Sequence, residues 1–561
     1  MRTLFALLAS GCLLAAPPAR AADAPDPLRR ALADELGRTL ERLVIPGEAK
    51  PYFVSYTVLD TDLYAAVASY GAVTLASAVP TRSIVVSLRV GSPELDNSAA
   101  GFSGSGRLSA FGGAPIEDDY AALRRELWQS SDGEYKEALE ALAQKKNALA
   151  ARVNERQDSF PDFSPEPKHE TIVSDKASDP RSGDRKLQEI IERLSLLAAR
   201  APGVVDSGAS AQRSVSRRRL LTSEGTWADE PDRFVRVAVH ASARTEDGMH
   251  VHAGLDFTGT DPSTLPSVEV MEAKLKDGLA RLELTRAAPL ADGGSAVVLF
   301  EGEAAAELVR GLLARRLSGT PPLRYVGADT DRSLASKLGV EVVSPLLDVY
   351  DDPTVTTGPG GELLWGHFAA DDEGVPAQRV SLIERGVLKT LLMSRAPRKE
   401  IRQSNGHFRR GRGAAIGNLI VKANRPLSRK ALLELAVRES KKRGPGTRVY
   451  VVRRLAYRHA FGMKQSFDML GNEGLPVEGS VAAMEASLVV DGKERPVRGL
   501  TLENIDLRAL RDLLGAGKDA YVLNYGFASG TSVISPSLLI PNIDVKRHEA
   551  DNPKPPTYPA P

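Results

Sequence analysis

The chain contains a single cysteine, Cys12, among 561 residues, so it can form no internal disulfide and no cysteine cluster for a metal. An excess of one charge is also missing, with 73 Lys and Arg against 72 Asp and Glu. This balance gives no global field to attract nucleic acid or an anionic membrane. Beyond the first 21 residues no apolar run approaches the 18 residues of a membrane-spanning helix. Phosphate-binding, dinucleotide-binding and EF-hand patterns are absent, as is a Gly-x-Ser-x-Gly nucleophile elbow.

The first 21 residues have the pattern of a signal peptide. Arg2 gives a positive start, residues 4–16 are apolar, and Ala19-Arg20-Ala21 has the small residues that signal peptidase cleaves after. We therefore expect an exported protein, periplasmic or extracellular. A second interpretation is a lipoprotein leader that ends at Cys12 and anchors the chain by acyl groups.

The length favours two large domains, which we place at residues 26–285 and 290–546, with a Pro-rich disordered tail at 547–561. Strands and helices mix in both, and strand signals dominate the second, so the predicted class is α+β. Helices are expected at 26–43, 117–155, 185–200 and 268–282, with a break at Gly133. The run Arg217-Arg218-Arg219 reads as the solvated edge of a sheet.

One stretch resembles a known family. Residues 368–389 read FAADDEGVPAQRVSLIERGVLK, which is similar to the core of the TldD/PmbA proteins, zinc peptidases and their metal-free partner subunits. The similarity is strongest over residues 295–421 and continues to 545. It implies a two-domain TldD/PmbA-like fold, an α/β N-terminal domain carrying a helical insertion near 117–200, and a β-rich C-terminal domain. It also implies a dimer that encloses a cavity.

The zinc motif of the active members is replaced in this chain. There, a helix after a Val-Val-Leu strand carries His-Glu-x-x-x-His, and a later cysteine adds a ligand. Here Val297-Val298-Leu299 matches the strand, and the motif register places Val309 and Ala314 at the histidines and Arg310 at the glutamate. Valine and alanine offer no lone pair, and arginine cannot act as a base near neutral pH. The chain reads Tyr-Val-Leu-Asn-Tyr at 521–525, near the place of the cysteine.

His-Glu also occurs at His169-Glu170 and His548-Glu549, without a second histidine at the right spacing. The resemblance therefore implies no metal site and no cofactor in this chain, with zinc expected only in an active partner.

Three other groups are candidates for chemistry. His250 and His252 share one face of a predicted strand and could hold a metal with His240 or Asp247, although a solvated strand is the commoner arrangement. The acidic runs at 351–352 and 371–373 could bind a cation or supply an acid–base pair, but each reads more simply as a turn.

An arginine-rich segment is the best candidate for a binding feature. Arg409, Arg410 and Arg412 follow Asn405-Gly406, and with Arg379 and Arg402 they could line a site for a peptide carboxylate or another anion. The competing interpretation is an exposed Gly-rich loop.

Three hypotheses about function remain open. The first is a non-catalytic, exported subunit that completes a peptide-cleaving chamber with a zinc-bearing TldD-like paralogue. The second is a stand-alone peptide-binding or scaffold protein of the cell envelope that pairs with itself. The third is a metallopeptidase whose ligands have moved, with His250 and His252 among them.

Overall fold

The structure is a computed structural model that describes residues 26–98, 113–151, 160–174, 181, 183–321, 331, 333–455, 479–526 and 530–547. The predicted leader, Cys12, His548 and the predicted tail from 548 onward lie outside these ranges. No helix in the described ranges is long and apolar enough to cross a membrane.

The N-terminal half is one seven-stranded sheet with helices on one face. Its strand order is β3-β2-β1-β5-β6-β4, and β7 pairs with β6. The strands are β1 Pro51–Ser69, β2 Ala72–Ser92, β3 Leu95–Asp96, β4 Glu170–Ile172, β5 Val204–Thr222, β6 Trp227–Arg244 and β7 His250–Gly259. The helices are α1 Pro27–Arg42, α2 Tyr120–Ala150, α3 Asp184–Ala199 and α4 Val268–Arg286.

The helices cover a single face because side chains alternate along each strand. Val54, Tyr56 and Val58 of β1 pack with α1 and α2 in one apolar cluster. Tyr64 and Ala66, further along the same face of the strand, pack in a second cluster with α3 and α4. The helices of the 117–200 region, α2 and α3, therefore cover this sheet together with α1 and α4.

Two expectations for this half are wrong. Helix α2 runs through Gly133 without a break for 31 residues, because Leu127, Tyr135 and Leu142 continue its buried face across the glycine. The arginine run at 217–219 does not lie on a sheet edge. Its strand, β5, is paired with β1 on one side and β6 on the other.

Helix α1 allows a small, clean test of helix propensity. Gly37 lies in its middle, exposed, and a Cβ added there meets nothing within 4 Å. We expect Gly37→Ala to raise the free energy of unfolding by about 0.5–1 kcal/mol, since glycine loses more backbone freedom in a helix. Urea denaturation measures this. Gly71→Ala should do the reverse, because Gly71 has φ +86° and Leu196 would lie 3.1 Å from its Cβ.

The C-terminal half contains two larger sheets and a short hairpin. One sheet has the order β11-β10-β9-β14-β21-β20, and the other has β15-β8-β22-β18-β16-β17, closed on itself by pairing of β15 with β16. The first strands are β8 Gly294–Phe300, β9 Leu347–Asp351, β10 Val380–Glu384, β11 Val387–Leu388, β12 Phe408–Arg409, β13 Gly413–Ala414 and β14 Asn418–Ala423. The remaining strands are β15 Arg448–Leu455, β16 Gly479–Val490, β17 Lys493–Val497, β18 Leu500–Ile505, β19 Gly515–Ala516, β20 Tyr521–Tyr525, β21 Thr531–Ser535 and β22 Leu538–Arg547.

The helices of this half are α5 Glu303–Leu313, α6 Arg429–Lys442 and α7 Arg508–Arg511, with a 3-10 turn at Ala335–Lys337. Helix α5 is buried on nearly every side, between β15 and the β20–β21 pair. Helix α6 is capped at its N-terminus by Ser428, whose side chain accepts the Ala431 N–H, and the helix packs on the opposite face of β8. The predicted α+β class with a strand-rich second half is confirmed.

A buried arginine joins the two halves. Arg395 is 1% exposed, and its guanidinium donates two hydrogen bonds of 2.7 Å to the carboxylate of Glu224. It donates two more to the carbonyl oxygen of Ser164 and lies 3.9 Å from the ring centroid of Phe163. One side chain thus fixes the C-terminal half to the sheet loop at 224 and to the segment at 163–164.

Candidate functional site at the junction of the two halves

Helix α5 carries the positions that correspond to the zinc motif. Val309 is fully buried, and Ala314 lies at the C-terminal cap, half-buried against the same core. Arg310 is 4% exposed, and its guanidinium lies 4.7 Å from the ring centroid of Tyr525 on β20. The arginine therefore points at the strand where active relatives are expected to supply their cysteine.

These residues do not fit zinc. Val309 and Ala314 have no donor atom, the Arg310 guanidinium is cationic, and β20 supplies tyrosine, valine, leucine and asparagine. Across the described ranges no group of three or more His, Cys, Asp or Glu side chains is arranged to hold a metal ion.

A cavity of about 600 Å³ lies beside the first turn of α5, between the two halves of the chain. The N-terminal half contributes residues of β7 and α4, and the C-terminal half contributes α5, β15, β16 and Tyr521. Arg454 bridges the halves: it pairs with Glu303 at 3.2 Å and donates a hydrogen bond of 2.8 Å to the Gly254 carbonyl oxygen. The cavity therefore has β7 and α4 on one side and α5, β15 and β16 on the other.

The cavity wall carries both signs of charge. Arg281 pairs with Glu485 at 3.7 Å, with the arginine side chain half exposed, and Arg453 pairs with Glu301 at 3.5 Å. An extended peptide presents carbonyl oxygens, amide N–H groups and both end charges. A wall of adjacent arginines and glutamates can bind all of these.

Glu303 and Glu307 are successive carboxylates on one face of α5. Burial, together with the neighbouring charge of Glu303, raises the pKa of Glu307 well above its usual range. Burial also raises the pKa of Glu303, although Arg454 opposes the shift. The pair holds a proton more readily in the folded chain than in the unfolded one.

This arrangement predicts a pH-dependent stability. The pKa of Glu307 is higher in the folded than in the unfolded chain, so the folded chain binds more protons between the two values. The stabilisation from protonated Glu307 is complete below the pKa of a glutamate in the unfolded chain, about 4.3. It is lost as the pH rises through the higher pKa of Glu307 in the folded chain. We expect Glu307→Gln, which mimics the protonated form, to be more stable than the parent at pH 8 and equal near pH 4. Urea midpoints across this range measure it, with the exposed Glu48→Gln as control.

A difference between Glu307→Gln and the parent that stays constant with pH would contradict the assignment.

The predicted arginine site is only partly assembled. Arg409 lies 4.5 Å from the ring centroid of Phe368, and Arg410 donates a 2.8 Å hydrogen bond to Thr57 of β1. Arg412 lies in the turn that joins β12 to β13, where its N–H donates to the Arg409 carbonyl oxygen. The other two predicted members contact different rings: exposed Arg379 lies over Tyr350 and exposed Arg402 over Phe160.

The acidic run at 371–373 is the counterpart of these arginines. Asp371 accepts backbone N–H groups from Glu373, Val375 and Phe408, which makes it the centre of a turn. Burial and the charge of Glu373 raise the pKa of Asp371 to about 7.

The pKa of Asp372 is shifted in the opposite direction, to below its usual value. Burial alone would raise its pKa, but the charges of Arg409 and Arg218 hold it at about 2. The run is therefore a buried electrostatic contact between the halves.

Sequence reasoning missed Arg218 and Glu230. Arg218 donates hydrogen bonds of 2.7 Å to the carbonyl oxygens of Ala370 and Asp371, and Glu230 accepts the N–H groups of Ala369 and Ala370. The sequence around them gives no local signal, because Arg218 lies within a run of three arginines and Glu230 follows Asp229, and only the order of the strands brings them to residues 369–371.

The histidine pair on β7 has His240 as a neighbour, but these side chains form no group able to hold a metal ion in the part of the chain that the structure describes. The rings of His250 and His252 stack with centroids 6.3 Å apart, and His240 lies 3.7 Å from Asp206. Asp247 instead pairs with Arg498 at 2.8 Å. Burial lowers the pKa of both His240 and His252.

The comparisons with known proteins agree with this geometry. Residues 293–441 match the PmbA/TldA metallopeptidase C-terminal domain family. The chain therefore contains a C-terminal domain of the TldD/PmbA type over these residues. A curated relative, a metalloprotease from Methanothermobacter thermautotrophicus, is 28% identical over 200 residues, and the match spans 35% of this chain and 41% of that protein.

Solved structures extend the likeness in fold to nearly the whole chain. TldE from Thermococcus kodakarensis has a TM-score of 0.58 at 16% identity, over 92% of this chain and 99% of that one. A proposed modulator of a DNA gyrase from Thermotoga maritima has a TM-score of 0.59 at 17% identity, over 92% and 100%. These confirm the predicted two-domain TldD/PmbA-like fold.

Proposed function

We propose that this TldD/PmbA-family protein is an exported, non-catalytic subunit that supports the cleavage of unfolded peptides by a zinc-bearing relative. The observation that carries the proposal is the composition of α5. Where active members have two histidines and a glutamate, this helix has a fully buried valine, an arginine whose guanidinium lies over the Tyr525 ring, and a half-buried alanine at its C-terminal cap. At these positions α5 therefore contributes packing and charge balance, and no metal ligand. Such a helix suits the wall of a peptide-binding chamber.

In this proposal the cavity beside α5 holds peptide. Its neighbouring arginine and glutamate side chains can bind the ends and main chain of an extended segment without demanding a particular sequence. A subunit that serves unfolded substrates needs this tolerance.

Charge reversal at the rim tests the cavity. Arg281 is half exposed, so its loss leaves the core intact. We expect Arg281→Glu to weaken binding of a fluorescent, zwitterionic heptapeptide by about tenfold or more, since a like-charge contact replaces an ion pair beside the ligand. Fluorescence anisotropy measures binding. The double variant Arg281→Glu/Glu485→Arg restores the pair and should recover part of the affinity, while Arg185→Glu, far more exposed, should change nothing.

Affinity capture of the tagged mature protein from its native envelope tests the partner. Recovery of a relative with His-Glu-x-x-x-His at one-to-one ratio, and chelator-sensitive cleavage only by the pair, would support the proposal. Chelator-sensitive cleavage by this chain alone would overturn it.

A further inference from the structure

A second cavity lies in the helical layer of the N-terminal half. Its volume is about 320 Å³, and its walls come from the C-terminal end of α3, the residues that lead into β5 and the second half of α4. It has no residue in common with the cavity beside α5, which uses another face of α4. The two cavities can therefore be altered independently.

The inner wall of this second cavity is apolar. Leu282 is 4% exposed and belongs to the apolar cluster on which α3 and α4 pack. Leu197, Val204 and Leu279 pack against the same cluster but are only half-buried, so part of each side chain is left for a ligand. Aliphatic side chains form no hydrogen bonds, and such a wall favours an alkyl chain over a polar one.

The mouth of the cavity carries two cations. Arg200, at the C-terminal cap of α3, and Lys276, on α4, are both exposed. Neither side chain forms an ion pair or a hydrogen bond with any residue that the structure describes. The Glu283 carboxylate also lines the cavity, but it already accepts two hydrogen bonds of 2.8 and 2.7 Å from Arg286. The mouth is therefore left with unbalanced positive charge.

These features specify a ligand with an anionic head and an alkyl tail. The C-terminal dipole of α3 amounts to about half a negative charge, so the two cations still leave the mouth positive. A carboxylate fits the planar fork of Arg200 and can also accept a hydrogen bond from the Lys276 ammonium. An extended peptide is a poorer match, since its main-chain N–H and C=O groups would face aliphatic side chains.

The volume sets the length of the tail. A cavity of about 320 Å³ holds about ten methylene groups if each fills about the volume of a water molecule, about 30 Å³. A tail of this length reaches from the mouth to the apolar wall and fills the space between them.

We propose that this cavity binds a straight-chain fatty acid of about ten carbons, with its carboxylate at Arg200 and Lys276 and its alkyl chain against Leu282. The occupant is a fatty acid because the unpaired charge lies at the mouth and the wall behind it is aliphatic. The inference does not rest on the proposed function, since either cavity can be filled while the other is empty.

Calorimetric titration of the full mature chain tests the head group and the chain length. Decanoate should bind at one equivalent. Octanoate should bind about tenfold more weakly, because each methylene removed from water strengthens binding about fourfold. Decyltrimethylammonium, with the same tail and the opposite charge, should also bind at least about tenfold more weakly than decanoate. Absence of decanoate binding, or equal affinity for the two decyl compounds, would overturn the proposal.

Charge reversal at the mouth provides the second measurement. Arg200→Glu/Lys276→Glu should weaken decanoate binding about 100-fold or more, since two like charges replace two opposite ones beside the carboxylate. Arg185→Glu/Lys274→Glu is the matched control, because it makes the same change of charge at exposed positions of the same two helices, outside the cavity. It should bind decanoate as the parent does. An equal loss in both variants would mean that only net charge matters, and would refute the site.

Filling the cavity tests the position of the tail. Ala280 lines the cavity and is exposed, so Ala280→Trp adds bulk there without disturbing the buried cluster. It should weaken decanoate binding at least about tenfold and leave heptapeptide binding at the cavity beside α5 unchanged. Ala273→Trp, exposed on the same helix but outside the cavity, carries the same loss of helix propensity and should bind decanoate like the parent. Undiminished decanoate binding by Ala280→Trp would place the ligand elsewhere and contradict the assignment.

Discussion

Arg395→Leu should lower the free energy of unfolding by about 3–5 kcal/mol, because it leaves the Glu224 carboxylate and the Ser164 carbonyl without their buried donor. It also removes the cation above the Phe163 ring. The effect is large because the guanidinium is almost fully enclosed and satisfies both acceptors at once. Urea denaturation monitored by circular dichroism measures the change.

Two controls separate this effect from the loss of any surface ion pair. Arg185→Leu removes an exposed pair with Glu189 and should cost less than about 0.5 kcal/mol. Arg395→Leu/Glu224→Leu should be more stable than Arg395→Leu alone, since the double variant buries no uncompensated charge. A loss below about 1 kcal/mol in the single variant would mean that the halves are joined elsewhere.

The same contact shows what sequence reasoning could reach. Helix α1, helix α4 and the strand before α5 were predictable because periodicity, caps and β-branched runs are local signals. The pairing of Arg395 with Glu224 joins residues 171 positions apart and has no local signal. Family resemblance located the segment at 368–389, but not the arginine that anchors it.

The arginine runs illustrate the same limit. Arg217, Arg218 and Arg219 were expected at a solvated edge, yet each is paired with a carboxylate inside the sheet: Asp229, Glu230 and Asp60, respectively. A run of charged residues is typical of a solvent-exposed segment, and only the neighbouring strands show whether carboxylates pair with it. The cavity beside α5 is likewise a product of the junction, since its walls come from segments about 200 residues apart.

Val309→His should be the most costly change at the replaced zinc motif, with a loss of about 3–5 kcal/mol. The imidazole is larger and polar, and Val309 is fully enclosed by aliphatic side chains. Overpacking and an unsatisfied buried nitrogen each contribute a few kcal/mol. Ala314→His is the matched control: its position is half-buried at the end of α5, so the ring can reach solvent and the cost should stay below about 1.5 kcal/mol.

The triple variant Val309→His/Arg310→Glu/Ala314→His restores the motif residues and tests whether the surroundings of α5 can still hold zinc. We expect substoichiometric zinc by elemental analysis, because two histidines without a third ligand on β20 make an incomplete site, and the core resists the ring at 309. One equivalent of tightly bound zinc with unchanged stability would show that the pocket still accommodates the metal. In that case the proposed wall would be a catalytic site that has lost only its ligands. With the expected result, the core around α5 is itself packed for a role without metal.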